Sequence, residues 1–385
     1  MAFGDYNGRM SSDLSTPPVW VDDRAQFGRM LADLEKQRCL AVDTESNSLY
    51  AYEEKVCLIQ FSSAHADYLV DALADLPLDE LWAIMADASV EKIFHAAEYD
   101  LICLKRDYGF SFSNLFDTMH AARVLGEEKL GLADMLMLRF GVEQGKSFQK
   151  ADWGLRPLTA GMQAYARLDT HYLIPLRDML HGQLAEKGLL ELAEEDFERL
   201  RALKANSRQA PLYAQVSGYH TLNGRELRAL DELCCFRDQI SRKQDRPHFK
   251  VLGNSTLMVL AREQPATRDQ LESLGGVSPR LKARYASGLL DALPRARGMP
   301  PLEIEPRRRP SQDYIDRLEA LKRWRKRTAE KMQVQSDIVL PRDILESIAK
   351  SRPRDIQTLK KEMEALPWRF ERFGAEILEL LGKEK

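Results

Sequence analysis

The sequence predicts a mixed-sheet α/β domain over residues 19–205 followed by two small all-α domains, 212–294 and 312–385. Three features predict it. Short β-rich runs alternate with helical patterns in the first half, a set of helical motifs recurs in the second half, and a basic, proline-rich stretch at 295–311 separates the two copies.

After a polar leader, residues 1–18, the runs Val19–Asp22 and Cys39–Asp43 read as strands. The segment RAQFGRMLADLEKQ between them has the apolar spacing of a helix. Val56–Ser63 and Ala66–Ala72 follow as two strands, a hairpin across the Ser62–His65 connection. LDELWAIMADAS is then a helix, KIFHA a short strand, and AEYDLICLKRDYG a helix closed by Gly109. From Leu115 to Leu200 the pattern is almost wholly helical.

Beyond residue 205 an internal repeat is visible. LRAL at Leu227, LAREQP at Leu260 and RYASGLLDAL at Arg284 recur in order as LEAL at Leu318, IAKSRP at Ile348 and RFGAEILELL at Arg372. The offset is 91 residues for the first pair and 88 for the others, which predicts a three-residue deletion in the second copy, opposite Asp245–Asn254. The intervening stretch, with prolines and the run Arg307–Arg309, is expected to be an extended basic linker.

Bulk composition narrows the class. No apolar run reaches the ~20 residues of a membrane span and the first residues lack a secretory apolar stretch, so a cytosolic protein is expected. Five cysteines, without C-x-x-C spacing or neighbouring histidine pairs, argue against a disulfide framework or a zinc site. The net charge of −3 conceals a division: residues 211–385 hold 34 Lys+Arg against 25 Asp+Glu, the first 210 hold 22 against 34. An acidic half joined to a basic half suits chemistry on one and polyanion binding on the other.

Two acids end an otherwise apolar strand, Asp43-Thr-Glu45. Residues two apart in a strand face the same way, so both carboxylates project together, and their repulsion is relieved by a cation or by protonation. Asp100 falls in the first turns of the helix after KIFHA, and Tyr165 and Asp169 lie four residues apart on one helix face. Singly, each has a plain explanation: a solvated turn, a favourable helix dipole, a chance pairing.

As a set, D-x-E, the helix Asp of H-A-A-E-Y-D and Y-x-x-x-D resemble the DEDD superfamily of 3′–5′ exonucleases, in its tyrosine subclass. Phe116-Asp-Thr and the segment Lys146–Leu158 resemble ribonuclease D and its relatives. The two helical modules are similar to HRDC domains, the first through Arg246-Pro-His-Phe, Leu260-Ala and Gly275-Gly276, and the second is more divergent. The resemblance implies a ribonuclease H-like sheet and two divalent metal ions, Mg²⁺ or Mn²⁺. Asp43, Glu45 and Asp169 would hold one, Asp43 and Asp100 the other, with Tyr165 orienting the attacking water. It also implies release of nucleoside 5′-monophosphates from RNA 3′ ends, tRNA precursors among them. No membrane and no obligate protein partner are expected.

For substrate contacts the candidates are His95, Leu49, Lys146, Gln149 and Arg156. Leu49 and Tyr50 would lean on the last bases, and Lys146, Gln149 and Arg156 would touch phosphate or ribose. His95 is equally a satisfied strand-end histidine, and Trp153 equally core. Asp117, Asp152 and Glu98 read as cap or turn acids. Trp324, in the basic run Lys322–Arg327, either stacks on a base or packs inward. A DNA-directed exonuclease and a non-catalytic nucleic-acid-binding protein are the competing readings, though no G-x-x-x-x-G-K-[ST] phosphate loop accompanies the acids.

Overall fold

Leu14 and residues 16–205, 210–303 and 310–382 are described by the computed structural model. Most of the leader and the run Arg307–Arg309 lie outside the described residues. In the first half the chain forms β1 (Val19–Val21), α1 (Arg24–Leu34), β2 (Cys39–Ser46), β3 (Val56–Ser62), β4 (Asp67–Asp71), α2 (Leu81–Ala86), β5 (Glu91–Phe94) and α3 (Glu98–Tyr108). Then come β6 (Leu115–Asp117), α4 (Thr118–Val124), α5 (Leu132–Phe140), α6 (Ala160–His171), α7 (Leu173–Glu186) and α8 (Leu190–Arg201).

The six strands make one mixed sheet in the order β1-β4-β3-β2-β5-β6. β2 is central, antiparallel to β3 and parallel to β5, and the expected β3–β4 hairpin forms. β6 is a departure from the helical expectation after Leu115. Its three residues are buried beside β5 and run straight into α4, too short a strand for periodicity to reveal. Local signals otherwise set the element ends. The Asp23 carboxylate accepts from Gln26 N at 2.8 Å to start α1, and Gly109 closes α3 at φ 68, where a residue with a Cβ is strained.

One face of the sheet packs Ile59, Phe61 and Val70 against α1, α2, α3, α7 and α8 in the main core. The other turns Leu58 and Leu69 toward Trp153, Met162 and Ala166, under α6. Leu40, Ala41 and Val42 are wholly buried, each of the larger two worth about 1.5–3 kcal/mol on burial. β2 is therefore rigid where the acids emerge from it.

Two compact units divide the chain, and the division does not follow sequence order. One contains residues 16–46, 56–205 and 310–382; the other contains 47–55 and 210–303. In the second unit α9 (Gly224–Gln244), α10 (His248–Val251), α11 (Asn254–Glu263), α12 (Arg268–Ser273) and α13 (Pro279–Gly298) enclose Leu230, Leu233, Leu257, Leu260 and Leu289. In the first unit α14 (Gln312–Met332), α15 (Ser336–Val339), α16 (Arg342–Ser351), α17 (Ile356–Glu362) and α18 (Pro367–Gly382) have a core of their own and also extend the core of the sheet, to which Ile338 belongs. Among the described residues no helix is long and apolar enough to cross a membrane.

The repeat is real but its predicted deletion is not. All five helices of the second copy begin 88 residues after their counterparts, from Gly224 and Gln312 to Pro279 and Pro367. The left-handed residues that end α9 and α11, Asp245 and Gln264, likewise match Gln333 and Arg352. Leu227 corresponds to Ile315, and the match to Leu318 was a slip of three residues. A slip of about one turn keeps an apolar helix face in phase, so the pattern alone cannot register it. The linker also starts later than predicted, because α13 continues through Pro294 to Gly298. Leu293 and Ala296, buried on either side of that proline, hold the helix together despite the lost N–H. Trp324 packs inward, 6% exposed, with its indole N–H donating to Glu376 at 3.0 Å.

Candidate active site

The site begins with the register of β2. Asp43 lies opposite Gln60 and Glu45 opposite Leu58, on the sheet face that α6 covers. Asp169, from α6, completes a cluster in which one carboxylate oxygen from each of Asp43, Glu45 and Asp169 lies within 4.8 Å of the others. The period-2 expectation for the strand pair is met.

Asp100 reaches the same strand from α3. Its Oδ1 accepts from Thr44 N at 3.0 Å and from Thr44 Oγ1 at 2.5 Å, docking the carboxylate on the backbone between Asp43 and Glu45. Two amides orient the other acids: Gln60 Nε2 donates to Asp43 Oδ2 at 3.2 Å, and Gln144 Nε2 to Asp169 Oδ1 at 2.6 Å. Behind α6, buried Asp67 accepts from Ser62 Oγ and Arg167 Nε, both at 2.6 Å, and pairs with His171 Nδ1 at 2.9 Å, pinning the helix to the β3–β4 hairpin. Thr44, Gln60, Gln144 and Asp67 were not found from sequence. Thr44 sits within D-T-E and was the one within reach; the others are polar residues whose spacing carries no signal.

Electrostatics make the cluster costly without a counter-ion. Burial, then Asp100, Asp169 and Glu45, push the Asp43 carboxyl well above its usual range. Burial and the charges of Asp169 and Asp100 raise Glu45 to about 9. Asp169 and Asp100 rise to about 7, in each case mainly by burial, with the hydrogen bonds from Gln144 and Thr44 pulling the other way. Among the described residues no Lys or Arg pairs with any of the four. Four carboxylates, Asp100 buried and the other three half-buried, that lack a protein cation suit hard divalent ions rather than nitrogen- or sulfur-seeking ones.

The sign of the pH effect follows. Folded-state values raised above the ordinary 3.8 and 4.5 favour the folded state fully at low pH, and that stability is lost as pH rises through about 7 and then about 9. Metal-free protein is expected to melt progressively lower between about pH 6 and about pH 9, and excess Mg²⁺ or Mn²⁺ to restore more of the melting temperature the higher the pH. Thermal melts in EDTA and in metal check this; parallel curves across the range would refute it.

Tyr165 lies one turn before Asp169, half-buried beside Trp153 and Phe148, with Gln149 hydrogen-bonded to its side chain. Burial and the charges of Asp169, Glu45 and Asp43 push its phenol above the ordinary value of 10. Trp153 is core, 1% exposed. His95 at the end of β5 holds Thr118 Oγ1 through Nδ1 at 2.9 Å, the satisfied arrangement, and burial pulls its pKa down. Arg156 departs from expectation. All five of its N–H donors are used inside the fold, on both Asp71 oxygens and on the carbonyls of Cys57, Trp153 and Leu155. It braces the hairpin and has no donor left for phosphate or ribose. Lys146 and Gln149 are exposed, and Leu49 is 37% exposed within the 47–55 segment. Asp117 caps α4 and Asp152 caps a turn through Gly154 N.

A mixed sheet carrying such an acid cluster, with helices on both faces, is a scaffold suited to metal-dependent phosphodiester chemistry. Residues 18–185 match the family described as 3′–5′ exonuclease, and residues 226–293 and 315–381 match the HRDC domain, an arrangement consistent with a DEDD exonuclease of the ribonuclease D type. The family implies divalent metal at the acidic cluster. Among curated relatives, the exosome complex exonuclease RRP6 of Saccharomyces cerevisiae is 34% identical over 64% of this chain and 36% of its own length. Exosome complex component 10 of Homo sapiens is 30% identical over 74% of this chain and 33% of its own. The chain thus spans about a third of the length of these relatives. Of solved structures, the catalytic core of RRP6 from Trypanosoma brucei is 27% identical with a TM-score of 0.62, over 74% of this chain and 81% of that one. Escherichia coli RNase D, described as an exoribonuclease involved in structured RNA processing, shares the fold across 96% of this chain and 99% of its own, with a TM-score of 0.72 at 23% identity.

Proposed function

We propose that this chain is a metal-dependent 3′–5′ exoribonuclease that releases nucleoside 5′-monophosphates and trims the 3′ ends of small RNAs, tRNA precursors among them. The observation that carries the reading is the convergence of Asp43, Glu45 and Asp169 oxygens within 4.8 Å, with Asp100 locked to the same strand. The RRP6 exonucleases among the relatives support exonucleolytic cleavage, and the fold is shared with an enzyme described as an exoribonuclease involved in structured RNA processing.

Asp43, Glu45 and Asp169 would hold one divalent ion, and Asp43 with Asp100 a second. Two such ions, Mg²⁺ or Mn²⁺, supply an activated water and a counter-charge for the leaving 3′ oxygen. The chain's own part is orientation. Gln144 and Gln60 fix the carboxylates, Thr44 fixes Asp100, and the Tyr165 hydroxyl, kept protonated by its raised pKa, aligns water by hydrogen bonding and is no base at neutral pH. Gln149 steadies that hydroxyl, and Lys146 is placed on the exposed side of the same segment.

Single-stranded RNA labelled at its 3′ end is expected to yield labelled mononucleotide with Mg²⁺ and none with EDTA. Tyr165→Phe should slow single turnover about a hundredfold while leaving the metal-induced rise in melting temperature intact. Degradation in EDTA, first products longer than one nucleotide, or faster cleavage of DNA would overturn the reading. A tRNA carrying extra 3′ nucleotides should be shortened stepwise to near its mature end; continued digestion through the acceptor stem would point to general decay.

A further inference from the structure

The helix that carries Asp100 has no cap of its own. Helices α1, α4 and α6 each begin on a side chain that accepts from the first turn, Asp23, Asp117 and Thr159, whereas α3 begins on Ala97, which cannot accept. Just before it the chain turns through Ala96 at φ 62, the left-handed region that a residue with a Cβ holds only when its surroundings impose it. Asp100 lies in the first turn that follows. Whatever fixes the turn at Ala96 therefore also fixes the direction in which the Asp100 carboxylate points.

The clamp on that turn comes from the next strand. Asp117, at the end of β6, is wholly buried, and its two oxygens serve two helices. Oδ1 accepts from His120 N at 2.8 Å at the start of α4, and Oδ2 from Ala97 N at 2.7 Å at the start of α3. Thr118, also wholly buried, donates through Oγ1 to Phe94 O at 3.0 Å, and the same oxygen meets His95 Nδ1 at 2.9 Å. Phe94, His95 and Ala97 are thus bonded to two adjacent residues, with Ala96 held between them. Parallel pairing puts the clamp in place, since Phe94 lies opposite Asp117. Capping α4 requires one of the carboxylate oxygens; the other, and the Thr118 hydroxyl, serve the turn before α3.

We infer that Asp117, with Thr118, is a positioning residue for the ion that Asp100 would hold: it keeps Ala96 in the left-handed turn and so delivers the Asp100 carboxylate, docked on Thr44, in one orientation. This rests on the metal-dependent reading above. A carboxylate fixed in place binds a cation without the ordering cost of one on a fraying turn, so the benefit falls on metal affinity rather than on the rate at saturating metal.

The full-length chain with Asp117→Asn tests it, titrated with Mn²⁺ from the EDTA-treated state and followed by melting temperature and by single-turnover hydrolysis of 3′-labelled RNA. Asparagine keeps an acceptor for one N–H and turns an amide N–H toward the other. The Mn²⁺ concentrations giving half the rise in melting temperature and half the maximal rate are expected to increase about tenfold, with the rate at saturating Mn²⁺ within about twofold of wild type. Asp100→Asn should shift the melting titration as well, and adding Asp117→Asn to it should shift it no further, since both act through the same carboxylate. Ala96→Gly in the Asp117→Asn chain should recover about threefold or more of the loss, because glycine takes the left-handed turn without support. A lower melting temperature with an unchanged Mn²⁺ requirement would leave Asp117 a helix cap and overturn the inference. Additive shifts in the Asp100 double variant, or no recovery with Ala96→Gly, would overturn it equally. Should Asp117→Asn fail to fold, Thr118→Val, expected to raise both concentrations about threefold, decides by the same criteria. Wild-type protein whose melting temperature no Mn²⁺ concentration raises is a separate result, which refutes the metal-dependent reading itself.

Discussion

An Asp43→Asn chain is expected to lose RNA hydrolysis by about a thousandfold or more, and yet to melt higher than wild type in EDTA at about pH 8. Both effects come from one carboxylate. Asp43 stands on the rigid centre of the sheet, opposite Gln60 and within reach of Glu45 and Asp169, where asparagine retains the shape and the bond to Gln60. What it removes is charge. In the metal-free state that charge is opposed by burial and by three other acids, so losing it relieves repulsion. In the loaded state the same charge is the ligand that both ion sites would share. Single-turnover rates and paired melts with and without Mg²⁺ check the prediction. Retained hydrolysis would sink the assignment, and a lower melting temperature in EDTA would sink the electrostatic account.

Arg369→Ala is expected to destabilise the first compact unit by about 3–5 kcal/mol without touching the carboxylate cluster. Arg369 is wholly buried in α18. Its Nη1 donates to Glu195 at 2.7 Å, its Nη2 to Asp196 at 2.9 Å and its Nε to the carbonyl of Ile338 at 2.9 Å. Trp368 N and Arg369 N also donate to Glu195. Truncation leaves two acids of α8 buried without a cation, and burial already raises the Glu195 pKa with the arginine present. Denaturant unfolding measures the loss. Adding Glu195→Gln and Asp196→Asn to the arginine variant should recover part of it; no loss in the single variant would show that water reaches these acids.

Much of the fold and the heart of the site were legible because both rest on periodicity. Asp43 and Glu45 share a face since strands repeat every two residues, and Tyr165 and Asp169 share one since helices repeat near every four. Asp100 had no such signal and was singled out through family resemblance; its docking on Thr44 is a long-range contact that spacing does not encode. Periodicity also misled. It matched Leu227 to Leu318 one turn out of register, and it overlooked β6, which has only three residues. Burial of charge was the least legible property. Nothing in the spacing of Glu195 and Asp196 marks them as buried, and Arg156 was expected to touch phosphate or ribose. Each is instead consumed inside the protein by a partner dozens to more than a hundred residues away.

The interleaved order of the two compact units bears on how the chain comes off the ribosome. Every strand of the described residues and all four acids have emerged by Asp169, but the arginine of α18 that neutralises Glu195 and Asp196 follows them by 174 and 173 residues. In between, residues 210–303 emerge and can fold around their own core, taking hold of residues 47–55 as they do. Vectorial synthesis places the neutralisation of Glu195 by Arg369 174 residues after Glu195 itself.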